Sequence, residues 1–187
     1  MKILAGLAVV ALIALGAGAV WYVDPWGGSD DDAVDLSELT DEFQGSSCRQ
    51  TAGLAAGLAL QDPELTPTEF LRAFGRQVAG IRPPPRAFGD LARGGSNQVP
   101  GKGFLARFDD GTIGQARHFA GVTAAASFGG AQATRLISIF ARRDPLSSPD
   151  GQLTEEGIAF AQAVQARELE LDETPEWLLD HLCRRRP

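Results

Sequence analysis

Residues 118–136 read HFAGVTAAASFGGAQATRL, and what this stretch becomes decides the fold. One reading exposes Ser127 on a tight turn between a buried strand and a helix. The other joins two small-residue helices at Gly129-Gly130. The first demands a sheet around it; the second demands none.

The helical reading begins upstream. Thr112 is a predicted cap, and a helix is expected over Ile113–Phe128. Gly129 and Gly130 supply backbone that ends a helix and reverses the chain without steric cost. A second helix is expected from Ala131 to Arg143, stopped by Asp144-Pro145. On the first helix Ile113, Ala116, Phe119, Val122 and Ala126 share one face. Gly114, His118, Gly121 and Ala125 line another, small enough for a second helix to cross closely. On the second helix Ala133, Leu136, Ile137 and Phe140 are expected to pack inward, with Gln132, Arg135 and Arg142 as a polar edge.

The segment Ala125-Ala126-Ser127-Phe128-Gly129-Gly130-Ala131 resembles the nucleophile elbow of the α/β-hydrolases, in which small residues flank the serine two positions away on each side. That resemblance implies Ser127 as nucleophile, with Asp172 and His181 following in the family's chain order. The composition before Ser127 argues otherwise. An elbow follows a buried strand rich in Val and Ile, whereas Phe119–Ala126 holds one valine and five alanines or glycines. No later segment alternates with period two to carry the acid and the histidine. The expectation is therefore a helical hairpin with Ser127 in the last turn before its hinge. A membrane-spanning hairpin is set aside because Arg117, His118 and Arg135 would each cost a few kcal/mol at a bilayer centre.

Within this stretch His118 is the titratable group of interest, beside Arg117 and next to a long loop. It is either a core histidine bonded to backbone or to a carboxylate such as Asp109 or Asp110, or a general base or ligand-binding group in a cleft. Zinc is not implied: two cysteines and two histidines stand at no finger-like spacing, and there is no His-Glu-x-x-His. "PDGQLTEE", residues 149–156, resembles half of an EF-hand. With Gly151 at the loop's glycine, the first and last ligand positions fall on Leu146 and Gly157, neither of which binds calcium. Asp150-Gly151 then reads as a turn and Thr154 as a helix cap. No metal or cofactor is expected.

Outward from the hairpin the pattern stays helical. Ser46-Ser47 caps a helix running to about Gln61. Thr66-Pro67-Thr68-Glu69 combines a cap, a proline at the first helical position and a capping box, followed by Phe70, Leu71, Phe74, Val78 and Ile81 at helical spacing. Pro83-Pro84-Pro85 closes that helix. Residues 86–103 read as loop with one helical turn at Ala87–Ala92, and Phe104–Phe108 as a short strand or turn. Ile158, Ala161 and Val164 follow Thr154 in a stripe to about Arg167. Thr174-Pro175-Glu176 opens a last helix that carries Cys183. The fold class is all-α, with five to six short helices and one long irregular loop.

Residues 1–23 stand apart. Ile3–Val23 is uncharged and long enough to cross a bilayer core as a helix, with Trp21 and Tyr22 at its end. It is a transmembrane anchor with a cytoplasmic N-terminus, or a signal peptide cleaved after Ala19 within Ala17-Gly18-Ala19; both place the domain outside the cytoplasm. Residues 24–47 carry eight acids and no base, the composition of a solvated linker. From residue 48 onward acids and bases are equal in number, so the net charge of −7 comes from the linker's acids with Lys2 offsetting one of them, and no basic surface marks nucleic-acid binding.

Cys48 and Cys183 open and close the folded region of residues 48–187. Two cysteines in an exported chain pair, and closing so long a loop is worth at most about 5 kcal/mol in the chain-entropy model. The Ala/Gly/Arg-rich, Lys-poor composition suggests a bacterial source. The expected function is a membrane-tethered or secreted cell-envelope domain that is not an enzyme and binds an envelope protein or small molecule through the 86–118 region. The alternative is a small extracytoplasmic hydrolase using His118 with a nearby carboxylate, or Ser127.

Overall fold

A computed structural model of the chain describes residues 40–142 and 145–185. The apolar segment 3–23 and all but the end of the acidic linker lie outside the described residues. Six α-helices make up the fold: α1 (Ser47–Gln61), α2 (Pro67–Ala79), α3 (Arg86–Arg93), α4 (Gln115–Leu136), α5 (Pro149–Gln165) and α6 (Thr174–Leu182). Short 3₁₀ turns fall at Ala106–Phe108 and Leu171–Glu173, and a π turn at Ile137–Arg142. Among the described residues there is no strand, and no helix is long and apolar enough to cross a membrane.

The helix starts follow their caps. Ser46 accepts from the Arg49 amide at the head of α1. Thr66 and Glu69 close a full capping box on α2, with Pro67 as first residue. Helix α2 ends at Gly80 in the left-handed region, at φ 63°, a conformation glycine adopts without Cβ strain. Two expected starts shift. Thr112 does not cap α4; its hydroxyl accepts from Gly114 N at 3.2 Å and pairs with Asp110, forming a turn ahead of the helix. Thr154 does not cap α5, which begins a turn and a half earlier at Pro149 behind the Ser148 cap. Asp150-Gly151 is therefore the first turn of α5 and not a free-standing loop.

The hairpin forms at the expected glycines. Gly130 leaves helical geometry at φ 79°, ψ 167°, open to glycine and strained for any other residue. Beyond it the chain returns along α5. Thr154 Oγ1 of α5 lies 2.8 Å from His118 Nε2 and 3.1 Å from Ser138 Oγ. His118 and Ser138 are thus at most about 6 Å apart, whereas an unbroken helix would separate them by ~30 Å.

Helix α4 is the central element, clamped between α2 and α5 through an aromatic core. Phe74 of α2, Phe119 of α4 and Phe160 of α5 are fully buried, with ring centroids 5.5–6.2 Å apart. Trp177 of α6 completes the cluster at 5.1 Å from Phe160. The close crossings come from glycines on the flanking helices. A Cβ on Gly75 would stand 2.5 Å from Ala124 Cβ, and one on Gly157 would stand 2.9 Å from Val122 Cγ1. On the small-residue face expected on α4 itself, His118 meets α5, but Gly121 is not a close crossing point: it has open space where a Cβ would go. Ile113, expected on the core face, is exposed.

The ends of the domain are sewn together. Cys48 and Cys183 form a disulfide spanning 135 residues, with a Cα–Cα distance of 5.5 Å. Phe104 pairs antiparallel with Cys183, through Leu105 N to Leu182 O and Arg184 N to Gly103 O, each 2.8 Å. The long segment between α3 and α4 is therefore anchored. Ser96 N bonds Ala79 O, Gly101 N bonds Ile113 O, and Ser47 Oγ donates to Val99 O at 2.6 Å. The expected single helical turn at Ala87–Ala92 is the whole of α3.

Candidate functional site

His118 sits one turn into α4 and is 7% exposed. Its carboxylate neighbour is neither Asp109 nor Asp110. Asp109 binds Lys102 and Arg184, and the Gly111 amide followed by the Lys102 ammonium holds its carboxyl below the usual range. Asp110 is taken up by Thr112 and by Gln115 Nε2. The groups around His118 come instead from α5. Nε2 meets the Thr154 hydroxyl at 2.8 Å, and Nδ1 lies 3.9 Å from Asp150 Oδ2. Asp150 and Thr154 are four residues apart, so one face of α5 presents both.

The result is a chain of polar groups, Asp150, His118, Thr154 and Ser138, crossing from α5 to α4 and on to the second arm of the hairpin. Thr154 is 1% exposed and Ser138 4%. A hydroxyl hydrogen-bonded between an imidazole and a second hydroxyl can pass a proton, but these hydroxyls face the interior. What the arrangement does in the folded state is satisfy buried polar groups that would otherwise cost ~1–3 kcal/mol each. Beside it Arg135 grips Glu155 through two bonds of 2.6 and 2.7 Å.

Arg117 and His118 do not form one face. Successive helical residues point about 100° apart. His118 turns toward α5, while Arg117 folds back over the helix start, its Nη2 lying 3.2 Å from where a Gly114 Cβ would be. Ser127 lies within α4, half-buried, its hydroxyl donating to Ala124 O at 2.7 Å. The strand that an elbow requires is absent, because Ser127 follows twelve helical residues. His181 stacks on Trp177 at 4.1 Å, and its Nδ1 is bonded to the Trp177 carbonyl. Both contacts are with one residue of its own helix.

In the 86–118 region the built feature is an ion pair. Asp90, buried on α3, receives the Arg82 guanidinium through Nε at 2.9 Å and Nη2 at 2.6 Å, and the Arg82 amide at 3.1 Å. The hydrogen-bonded guanidinium holds the Asp90 carboxyl far below the usual range, against the opposing effect of burial. Phe88 and Ile113 are exposed in the same region. Among the described residues no cluster of three or more His, Cys, Asp or Glu could hold a metal ion.

Sequence reading missed Asp150, Thr154 and Ser138 as neighbours of His118. The signal was present in Ser148-Pro149-Asp150, a cap, a first-position proline and a first-turn acid. Starting α5 there places Asp150 and Thr154 on one face. No protein-family model, curated protein or solved structure matches the chain, so its chemistry is read from its own residues.

Proposed function

We propose that the chain is a cell-envelope binding domain without catalytic activity, carried outside the cytoplasm by residues 3–23 as an anchor or released by cleavage after Ala19. The supporting observation is the position of His118. Its imidazole is buried, with Nε2 committed to Thr154, and the two hydroxyls nearest it are as buried as core residues. A nucleophile must reach its substrate, and these do not without opening the hairpin. Exposed Phe88 and Ile113 in the 86–118 region, whose connecting segment is held by backbone bonds to α2 and α6, suit recognition of an envelope protein or small ligand by a preformed surface.

A photo-crosslinking residue at Phe88 or Ile113, with Leu60 as an exposed control on α1, tests this in the exporting cell. A discrete adduct at Phe88 or Ile113 and none at Leu60 is expected. The second reading is a small hydrolase in which Asp150 and His118 activate a hydroxyl, favoured by the 2.8 Å contact. Ester or amide turnover that disappears in both His118→Ala and Thr154→Val, while both variants remain folded, would replace the binding reading with that one. Anchor and cleavage are separated by mass spectrometry of the mature chain: a start at Met1 supports the anchor, a start at Val20 the signal peptide.

A further inference from the structure

Two surfaces of the domain present side chains that the fold itself does not use. On the second arm of the hairpin Leu136 and Ile137, expected to pack inward, are 53% and 42% exposed, because Ser138 and Arg135 take the positions facing the Thr154 hydroxyl and the Glu155 carboxylate of α5. That surface is apolar, and its chemistry names no partner. The other is basic and lies between α2 and α4. The two helices run antiparallel there: the Arg72 guanidinium of α2 stacks over the Phe128 ring of α4 at 4.6 Å, and Gly75, further along α2, abuts Ala124 and Ala120, earlier on α4. Arg72 and Arg76 share one stripe of α2, being four residues apart. Arg117, Gly121, Ala125 and Phe128 follow at helical three- and four-residue steps and share one stripe of α4. The Arg72–Phe128 stack joins the two stripes, so they border one groove. Its floor is small: a Cβ on Gly121 would meet nothing within 4 Å.

The arginines of this groove hold no carboxylate. Arg82, Arg93, Arg107, Arg135 and Arg184 each pair with an acid; among the described residues Arg72, Arg76 and Arg117, all half-buried, pair with none. Glu69 lies one turn before Arg72 and attracts it, but its carboxylate is bonded to the Thr66 amide and hydroxyl at 2.8 and 2.6 Å. Residues 70–89 and 111–143 contain no other acid. Neighbouring cations repel one another, and an anionic occupant relieves that repulsion. Spacing favours an extended peptide. Arg72 and Arg76 stand ~6 Å apart along α2; the antiparallel register brings Arg76 level with about Gly121, and Arg117 lies ~6 Å beyond. Alternate residues of an extended chain are ~6.6 Å apart, so acids at every second position come level with successive arginines. We infer that the groove binds an extended acidic segment of a partner protein, whose carboxylates pair with Arg72, Arg76 and Arg117. Arg117 puts one end of the groove in the 86–118 region, so this deepens the proposed function and rests on its premise that the domain binds a partner.

The test titrates the full chain, in a non-ionic detergent, into a fluorescent peptide of alternating aspartate and serine, with an asparagine–serine peptide as control. The expected result is binding of the aspartate peptide alone, weakening in high salt. Arg76→Gln and Arg117→Gln should each weaken it about two- to fivefold, and Arg167→Gln, at an exposed arginine just past α5, should leave it unchanged. Gly121→Leu fills the floor without touching an arginine and should weaken binding as well. Near-ultraviolet circular dichroism checks that each variant is folded; Arg72 is left in place because its stack on Phe128 belongs to the fold. No binding of the aspartate peptide overturns the inference. So does an equal loss in Arg167→Gln, or full affinity in Gly121→Leu, since either means diffuse attraction rather than a groove. Tighter binding of inorganic polyphosphate with the same arginine dependence overturns the assignment to a protein segment. Crosslinked adducts at Phe88 or Ile113 without peptide binding overturn the groove alone and leave the binding reading standing.

Discussion

Ser138 returns to within about 6 Å of His118, twenty residues earlier in the chain, because each bonds the same Thr154 hydroxyl, at 3.1 and 2.8 Å. Replacing Thr154 by Val keeps the shape and removes that oxygen. It leaves the imidazole and the Ser138 hydroxyl short of a partner in the interior, at a cost of ~1–3 kcal/mol. Denaturant melts should show a lower midpoint with an unchanged slope, and hydrogen exchange should quicken most in residues 131–142. Ser127→Ala, which removes only a bond to the carbonyl three residues back, is expected within about 0.5 kcal/mol of the parent.

The helix contacts make opposite predictions for two glycines. Gly75→Ala drives a methyl into Ala124 Cβ and forces α2 from α4, at a cost of about 1–3 kcal/mol. Gly121→Ala meets nothing within 4 Å, and by removing backbone freedom in a helix it should stabilise by roughly 0.5–1 kcal/mol. Thermal melts of the two variants give the signs directly. If both destabilise, α4 is crossed on its own small-residue face.

That comparison shows where local signals sufficed. The capping box at Thr66 and Glu69, the break at Gly129-Gly130 and the pairing of Cys48 with Cys183 each follow from a few residues whose chemistry allows little else. Composition before Ser127 was enough to prefer helix over elbow. The contacts between helices were not legible in the same way. Gly121 and Gly75 are both helical glycines, and only tertiary packing decides which is pressed against a neighbour. The second arm's orientation was misread for the same reason: Leu136 and Ile137 are apolar, but its facing partners on α5 are a hydroxyl and a carboxylate. Thr154 looked like a cap because a threonine before two glutamates is one; Ser148-Pro149 upstream outcompetes it.

The disulfide closes a loop of 135 residues. Replacing Cys48 and Cys183 together by alanine should cost about 2–5 kcal/mol, with exchange quickening at the Phe104–Cys183 bridge. Because both sulfurs are buried, mild reductant should leave the bond intact in the native chain and cleave it once denaturant opens the domain. Mass spectrometry after alkylation reads the difference. Rapid reduction without denaturant would mean that the clasp opens locally.

Acid sensitivity follows from Asp90. Its folded carboxyl titrates below its unfolded value, because the Arg82 guanidinium and amide both bond the ionised form. Such a group adds stability above its unfolded pKa, near 4, and that stability is lost as pH falls through the folded value. The parent should therefore lose stability progressively below about pH 4. Asp90→Asn keeps the side-chain volume and cannot ionise. At neutral pH it should melt lower than the parent, since the amide cannot receive two guanidinium bonds as an anion does, and below pH 4 the gap should narrow. Melting temperatures from pH 2 to 7 measure this. Parallel curves across the range would remove Asp90 as the source of the acid limb and shift it to Asp109 and Glu69, whose carboxyls are also held low by hydrogen bonds.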